Sequence, residues 1–387
     1  MSQLLESRWT ETKDALLEGL QGNKRTVMAT TLENTRKYLA ESATAGATSA
    51  GNVATLNRVI LPVIRRVMPT VIANELVGVQ PMTGPVGQIH TLRVRYADAF
   101  DSTSGTDTTA GDEALSPFKI AEGYSGAAND KAASTAALEG VAGNRLSIQI
   151  LKQTVEAKTR KLSARWTFEA AQDAQAQQGI DIEAEIMAAL AQEITAEIDQ
   201  EVLASLSNLA GTVLTYDQNT VSGTATFVGD EHAALAVQIN RTANLIAQRT
   251  RRGAGNWAVV SPAVLTMLQS ATTSAFARTT EGTFEAPTNT KFAGTLNGAM
   301  KIYVDTYAAN DTVLIGYKGS TESDAPAFYC PYIPLMSSGV VLDPSTFEPV
   351  VSFMTRYGYV ELTNTASSLG NAADYLGTVT VSNPTFF

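Results

Sequence analysis

The sequence predicts a mixed α+β protein, and three observations lead there. Between residues 181 and 210, Ile182, Ile186, Leu190, Ile194, Ile198 and Val202 recur at every fourth position, the stripe of a long amphipathic helix. Residues 89–96 and 146–168 alternate apolar and polar side chains, the two-residue period of strands. Beyond residue 230, helical and strand-like stretches follow one another.

The 387 residues suffice for two or three domains of the usual roughly 100–200 residues, each with its own core. Lys and Arg total 28 and Asp and Glu total 38, giving a net charge of −10. Charged residues make up 17% of the chain, below the usual ~25%. So sparse a charge count implies that much of the surface is covered, and self-assembly is the simplest cover. Cys330 is the single cysteine, which excludes an internal disulfide framework and any multi-cysteine metal site. No apolar run approaches the ~18–20 residues of a membrane span, and the N-terminus lacks the basic-then-apolar order of a secretory signal. Net acidity argues against non-specific nucleic-acid binding as the main task.

Residues 1–41 read as helical and of mixed charge, and 42–55, rich in Ala, Ser, Thr and Gly, as a linker. The first 55 residues thus form an arm. Residues 56–77 carry apolar side chains at helical spacing, interrupted by Pro62 and Pro69, which predicts two short helices. A turn-rich crossing at 78–87 leads into the strand at 89–96, with Leu92, Val94 and Tyr96 on one face and Arg93 and Arg95 on the other. Residues 97–144 are mostly small and polar, and strands return at 146–168. The expected unit is a long two-stranded excursion that needs another chain to lie against, because an isolated hairpin is marginal in water.

The helix at 181–210 has Asp181 as its N-cap, Glu183 and Glu185 in its first turns and Gly211 beyond its end. A helix is predicted from Asp230 to Arg252, a buried strand at Trp257–Val260, and a further helix opened by Ser261-Pro262. Strands follow near 300–304, 312–317 and 327–333, with a last long one over 348–362.

Charge is segregated. Residues 169–201 hold nine acids and no base, whereas 145–165 hold six bases against Glu156. Two solvated faces would explain this. The alternative is complementarity between copies, which sets register more than affinity. It makes Arg93, Arg95, Lys158, Arg160, Arg165, Glu183, Glu185, Glu193 and Glu197 candidates for contacts between subunits.

A catalytic reading finds little support. The only histidines, His90 and His232, stand in a strand and in a first helical turn, and structural roles are expected for both. Cys330 lies in an apolar strand as a buried thiol. Gly316-Tyr317-Lys318-Gly319-Ser320 lacks the spacing of a phosphate loop. No catalytic, cofactor or metal residues are assigned. A carboxylate-dependent hydrolase stays as a distant alternative.

Three stretches carry a resemblance. VIRRVMPTVIANELVGVQPMTGPVGQIHTLRVRY (63–96), AKTRKLSARWTFEAAQDAQAQQGIDIEAEIMAALAQEITAEIDQEV (157–202) and PYIPLMSSGVVLDPSTFEPVVSFMTRYG (331–358) are similar, in this order, to major capsid proteins of T-even-type tailed phages. The resemblance implies the Hong Kong 97-type capsid fold. Residues 1–55 would be its N-terminal arm, 56–88 the first part of the peripheral domain, and 89–168 the E-loop and its stem. Residues 169–210 would be the spine helix, 211–345 the axial domain, and 346–387 the return strand and C-terminal tail. It implies a virion protein that is assembled in the bacterial cytoplasm. Hexamers and pentamers of it would enclose double-stranded DNA without sequence-specific binding or membrane contact. Portal and scaffold proteins are implied as assembly partners, with a pentamer paralogue or decoration protein as further candidates. An encapsulin-type nanocompartment shell is the alternative with the same fold. The family trait of cleavage after Glu makes Glu41, in Leu39-Ala40-Glu41, a candidate maturation site. Glu6 and Glu18 fit the same pattern, and retention of the arm is the preferred reading. The acidic helix is expected to line the inner wall, and contact of Glu193 or Glu197 with another subunit's bases would count against that.

Overall fold

The computed structural model describes residues 9, 13–14, 16–17, 22–44, 72–100, 108–112, 114, 132–140, 143–178, 181–221, 228–250, 252–271, 276–278, 291–308, 310–322, 324–362 and 372–384. Of the interrupted helices expected over 56–77, residues 56–71 lie outside the described residues, and Ala73–Leu76 is helical. The helices are α1 (Gly22–Thr44), α2 (Ala73–Leu76), α3 (Thr135–Leu138), α4 (Phe168–Gln178), α5 (Ile182–Leu209), α6 (Gln218–Val221), α7 (Val228–Thr250) and α8 (Pro262–Ser270). The strands are β1 (Gly78–Val79), β2 (Val86–Tyr96), β3 (Leu146–Glu156), β4 (Lys158–Arg165), β5 (Thr212–Asp217), β6 (Trp257–Val260), β7 (Phe276–Arg278), β8 (Lys291–Leu296), β9 (Met300–Val304), β10 (Thr312–Gly316), β11 (Ala327–Ser337), β12 (Val341–Leu342), β13 (Pro349–Glu361) and β14 (Leu376–Ser382). The class is α+β.

The chain divides into two units. The first takes Met1–Gly87, Val155–Ala204 and Phe328–Val360. Its sheet runs β1-β11-β13-β12, with β4 also on β13. β1 lies parallel to β11, and β4 antiparallel to β13 from Val350↔Arg165 to Tyr357↔Lys158. Along β13, Val351, Phe353, Thr355 and Tyr357 are buried while the residues between them are half-buried. On α5 the fourfold stripe supplies the buried Leu190, Ile194, Ile198 and Val202. Asp199, also buried, accepts a 2.9 Å hydrogen bond from the Ile72 amide and so ties the start of α2 to α5.

Pairing corrects one expectation. Residues 158–165 alternate as predicted, but they do not return along the strand at 89–96; they pair with β13, far along the chain. Phe168, expected at the end of that strand, instead opens α4 and packs against Phe347 with ring centroids 5.8 Å apart.

The second unit takes Gln88–Thr154, Ser205–Ala327 and Glu361–Phe387. Its seven-stranded sheet has the order β5-β14-β10-β6-β9-β8-β7. Leu235, Ile239 and Ile246 of α7 and Val264, Met267 and Leu268 of α8 form its core with Val260, Ile302, Val313, Ile315 and Val379 of the strands. Ser261 caps α8 by accepting from the Val264 amide at 3.3 Å, as Ser-Pro predicted. Gly316 is required where it stands, because a Cβ would overlap the Trp257 ring. Residues 376–382, placed in the C-terminal tail by the resemblance, are an inner strand: β14 lies between β5 and β10. The two-stranded sheet of β2 and β3 also falls largely in this unit.

Candidate assembly surface

β2 and β3 form a ribbon. The Ala97 amide donates to the Arg145 carbonyl and the Ala157 amide to the Pro85 carbonyl, each at 2.9 Å. The partner number falls as the residue number rises, so the strands run antiparallel. On β3 the alternation sets Leu146, Ile148 and Ile150 on one face, at 59%, 68% and 67% exposure. Three large aliphatic side chains in a row this open to water are an incomplete surface.

The end of the ribbon is fastened. Arg145 donates to Asp98 through Nε at 3.1 Å, Nη2 at 3.0 Å and its own amide at 2.8 Å. These bonds hold the Asp98 carboxyl below its usual range, the guanidinium contributing most. Gly111, Asp112 and Ala114 then bond to β2: Gly111 donates to the Tyr96 carbonyl, Tyr96 to the Asp112 carbonyl, and Ala114 to the Val94 carbonyl, at 2.8–2.9 Å. Tyr96 and Phe100 meet edge to face at 5.3 Å.

In the first unit the opposite charge blocks meet within one chain. Arg160 on β4 pairs with Glu197 of α5, and its Nη2 lies 2.5 Å from Glu201 Oε2. Arg160 Nε donates to the Tyr357 hydroxyl at 2.6 Å, and that hydroxyl donates to Glu201. Burial works against the Arg160 charge, but the bonds to Tyr357, Glu201 and Glu197 outweigh it and raise its pKa. Burial, reinforced by Glu201, also raises that of Tyr357. Glu201 and Tyr357 were not singled out from the sequence. The signal for Glu201 was its place one turn after Glu197 on the same helix face.

The other predicted charges do not converge. Arg95 is half-buried, its Nε without a hydrogen-bond partner among the described residues, and the Arg93 side chain lies outside them. Lys158, Glu183, Glu185 and Glu193 are exposed, and exposed Arg165 stands 3.9 Å from Glu348. Glu41 falls within helix α1. His90 is exposed, whereas His232 is buried with Nδ1 2.6 Å from Ser270 Oγ. Cys330 is buried, and burial pushes its thiol up to about 12. Among the described residues no group of three or more His, Cys, Asp or Glu is placed to hold a metal ion. Nor, among them, is any helix long and apolar enough to cross a membrane.

Residues 53–381 match the family described as major capsid protein Gp23. The chain belongs to the Gp23 major capsid protein family. The major capsid protein of Vibrio phage KVP40 is 31% identical over 416 residues, covering 84% of this chain and 80% of its own. That of Enterobacteria phage T4 is 32% identical over 418 residues, covering 83% and 78%. Among solved structures, one titled as the capsid of Myoviridae phage XM1 aligns over 81% of this chain and 92% of its own, with 11% identity and a TM-score of 0.42. The capsid protein family is a structural one, and the assignment rests on the sequence matches.

Proposed function

We propose that this capsid protein works by self-association into hexamers and pentamers that form a closed head around double-stranded DNA. The observation that carries the reading is the exposed row Leu146, Ile148 and Ile150 on a two-stranded ribbon in a member of a major capsid family. In the Hong Kong 97-type plan the ribbon is the E-loop and lies on a neighbouring subunit, α5 is the spine helix and the seven-stranded unit is the axial domain. Apolar burial between copies supplies the association, and the charged strands and helices set register. The paired Arg160 and Glu197 satisfy each other within the chain, so register falls to Arg95, Lys158, Arg165, Glu183, Glu185 and Glu193. If α5 faces the interior instead, Glu183, Glu185 and Glu193 repel the phosphates of packaged DNA and register is left to Arg95, Lys158 and Arg165. Portal and scaffold proteins are its partners during assembly in the bacterial cytoplasm, and the virion is its destination. Cryo-electron microscopy of the purified full chain or native particle tests this. A closed shell with the ribbon on a neighbour is expected. A discrete monomer or dimer under all assembly conditions would overturn it.

A further inference from the structure

Asn297-Gly298 is the only Asn-Gly pair in the chain. It stands where β8 turns into β9, between the paired Leu296 and Met300. The Ala299 amide donates to the Leu296 carbonyl at 3.2 Å and closes the reversal. Asn297 and Gly298 have φ of 53° and 70°. Both central residues of a type I′ turn need such positive values, and Asn followed by Gly adopts them readily. Turn geometry therefore accounts for the pair. The same pair also sets a thermolabile side-chain amide beside a main-chain nitrogen that no side chain shields.

The surroundings leave room for these two groups to react. Asn297 and Gly298 are both exposed, and a Cβ built on Gly298 would meet nothing within 4 Å. Other asparagines are placed differently. Asn34 donates its amide nitrogen to the Met82 and Tyr332 carbonyls and is followed by Thr35, and Asn256 donates to the Lys318 carbonyl and is followed by Trp257. The turn is also joined directly to the core of the second unit. Leu296 and Met300, at its two ends, are both buried there.

We propose that Asn297 is a site of spontaneous deamidation, and that its isoaspartyl product loosens the β8–β9 turn from the core beneath it. The Gly298 nitrogen gives up its proton to solvent base and attacks Asn297 Cγ. The Cγ–Nδ2 bond breaks, and the nitrogen leaves as ammonia after taking up a proton. Water then opens the cyclic imide. Attack at Cγ gives aspartate on the original backbone, and attack at the main-chain carbonyl gives isoaspartate, whose backbone is longer by one methylene group. Either product adds a negative charge. The closed turn restrains the rotation about the Asn297 Cα–C bond that ring closure needs, so the reaction runs through local opening of the turn. The lengthened isoaspartyl link no longer fits a reversal this tight, and the strain falls on the Leu296↔Met300 pair.

The test ages the purified full chain in neutral and in mildly alkaline buffer, native and in urea. Trypsin then releases Phe292–Lys301, in which Asn297 carries the only side-chain amide. Mass spectrometry reads the exchange of amide for acid, and chromatography separates aspartate from isoaspartate. Conversion is expected in the native chain, faster at the higher pH, with isoaspartate the larger product. It should run on the order of tenfold slower than in urea, as a local opening step requires. The aged native chain should unfold at lower urea than the fresh one. Asn297→Gly keeps a pair suited to positive φ and should neither convert nor lose its midpoint on ageing. A native peptide that stays unchanged while the urea-treated chain converts overturns the proposal, and this comparison needs no variant to fold. Conversion without any change in midpoint, or an equal loss in Asn297→Gly, overturns the link to the core. None of these outcomes depends on whether the chain forms shells.

Discussion

Arg160 Nε donates to the Tyr357 hydroxyl at 2.6 Å, and that contact joins β4 to β13 across their antiparallel pairing while both residues reach Glu201 of α5. Three elements from separate parts of the sequence thus share one charged network. Tyr357→Phe removes the hydroxyl that both accepts and donates, and should cost about 1 kcal/mol in urea unfolding. Arg160→Ala leaves Glu197 and Glu201 without their cation and should cost about 1–2 kcal/mol, partly relieved by solvent. The double variant should fall short of the sum by at least about 0.5 kcal/mol, as expected for residues in one network. Strict additivity would show that the two contacts are independent.

Alkaline pH should weaken the fold through its tyrosines. Tyr216 is pushed up to about 12 by burial and by the nearby Glu231 charge, and Tyr375 to about 12 chiefly by burial. In the unfolded chain both would release their protons near pH ~10. The folded state therefore holds more protons above that pH, so stability falls as pH rises from 10 toward 12 and is fully present below it. Urea midpoints over this range, with phenolate absorbance followed in parallel, check the sign. Tyr375→Phe should flatten the decline.

How much of this was legible depends on the kind of regularity. The stripe from Ile182 to Val202 needs only its own helix to be read, and α5 runs Ile182–Leu209 against an expected 181–210. Ser261-Pro262 likewise declares a helix start by local chemistry. Partners are different. The alternation through Leu162 and Ala164 shows which side chains share a face, but not that the neighbouring strand is β13. β14 has strand-forming Thr378, Val379, Thr380 and Val381, but Leu376–Ser382 is short and buried on nearly every residue, and its inner place comes from β5 and β10 on either side. The complementary charge blocks were visible too, yet composition is blind to whether Arg160 finds Glu197 in its own chain or another.

Cys330 should behave as an apolar side chain. It is buried on β11, and burial pushes its pKa up to about 12, so the reactive thiolate is scarce at neutral pH. Alkylation with iodoacetamide at pH ~8 should be slow in the native chain and rapid in urea. Cys330→Ala should leave association unchanged and cost on the order of 1 kcal/mol through lost packing. Fast native labelling would show that β11 opens locally.

Ile148→Asp separates folding from association. Its side chain is 68% exposed, between Leu146 and Ile150 on the same face of β3, so the isolated chain loses little by the change. Surface substitutions of this kind stay within about 0.5 kcal/mol. In an assembly that buries the row, the same carboxylate would be left unpaired in an apolar contact, a penalty of several kcal/mol per interface. Because the penalty recurs at every copy of the contact, a closed shell should be lost altogether. Urea unfolding close to the parent, together with absence of large particles in sedimentation, is the expected pair of results. Ser147→Asp, on the opposite face of the same strand, is the control that should still assemble, and shells formed by Ile148→Asp would remove the apolar row from the interface.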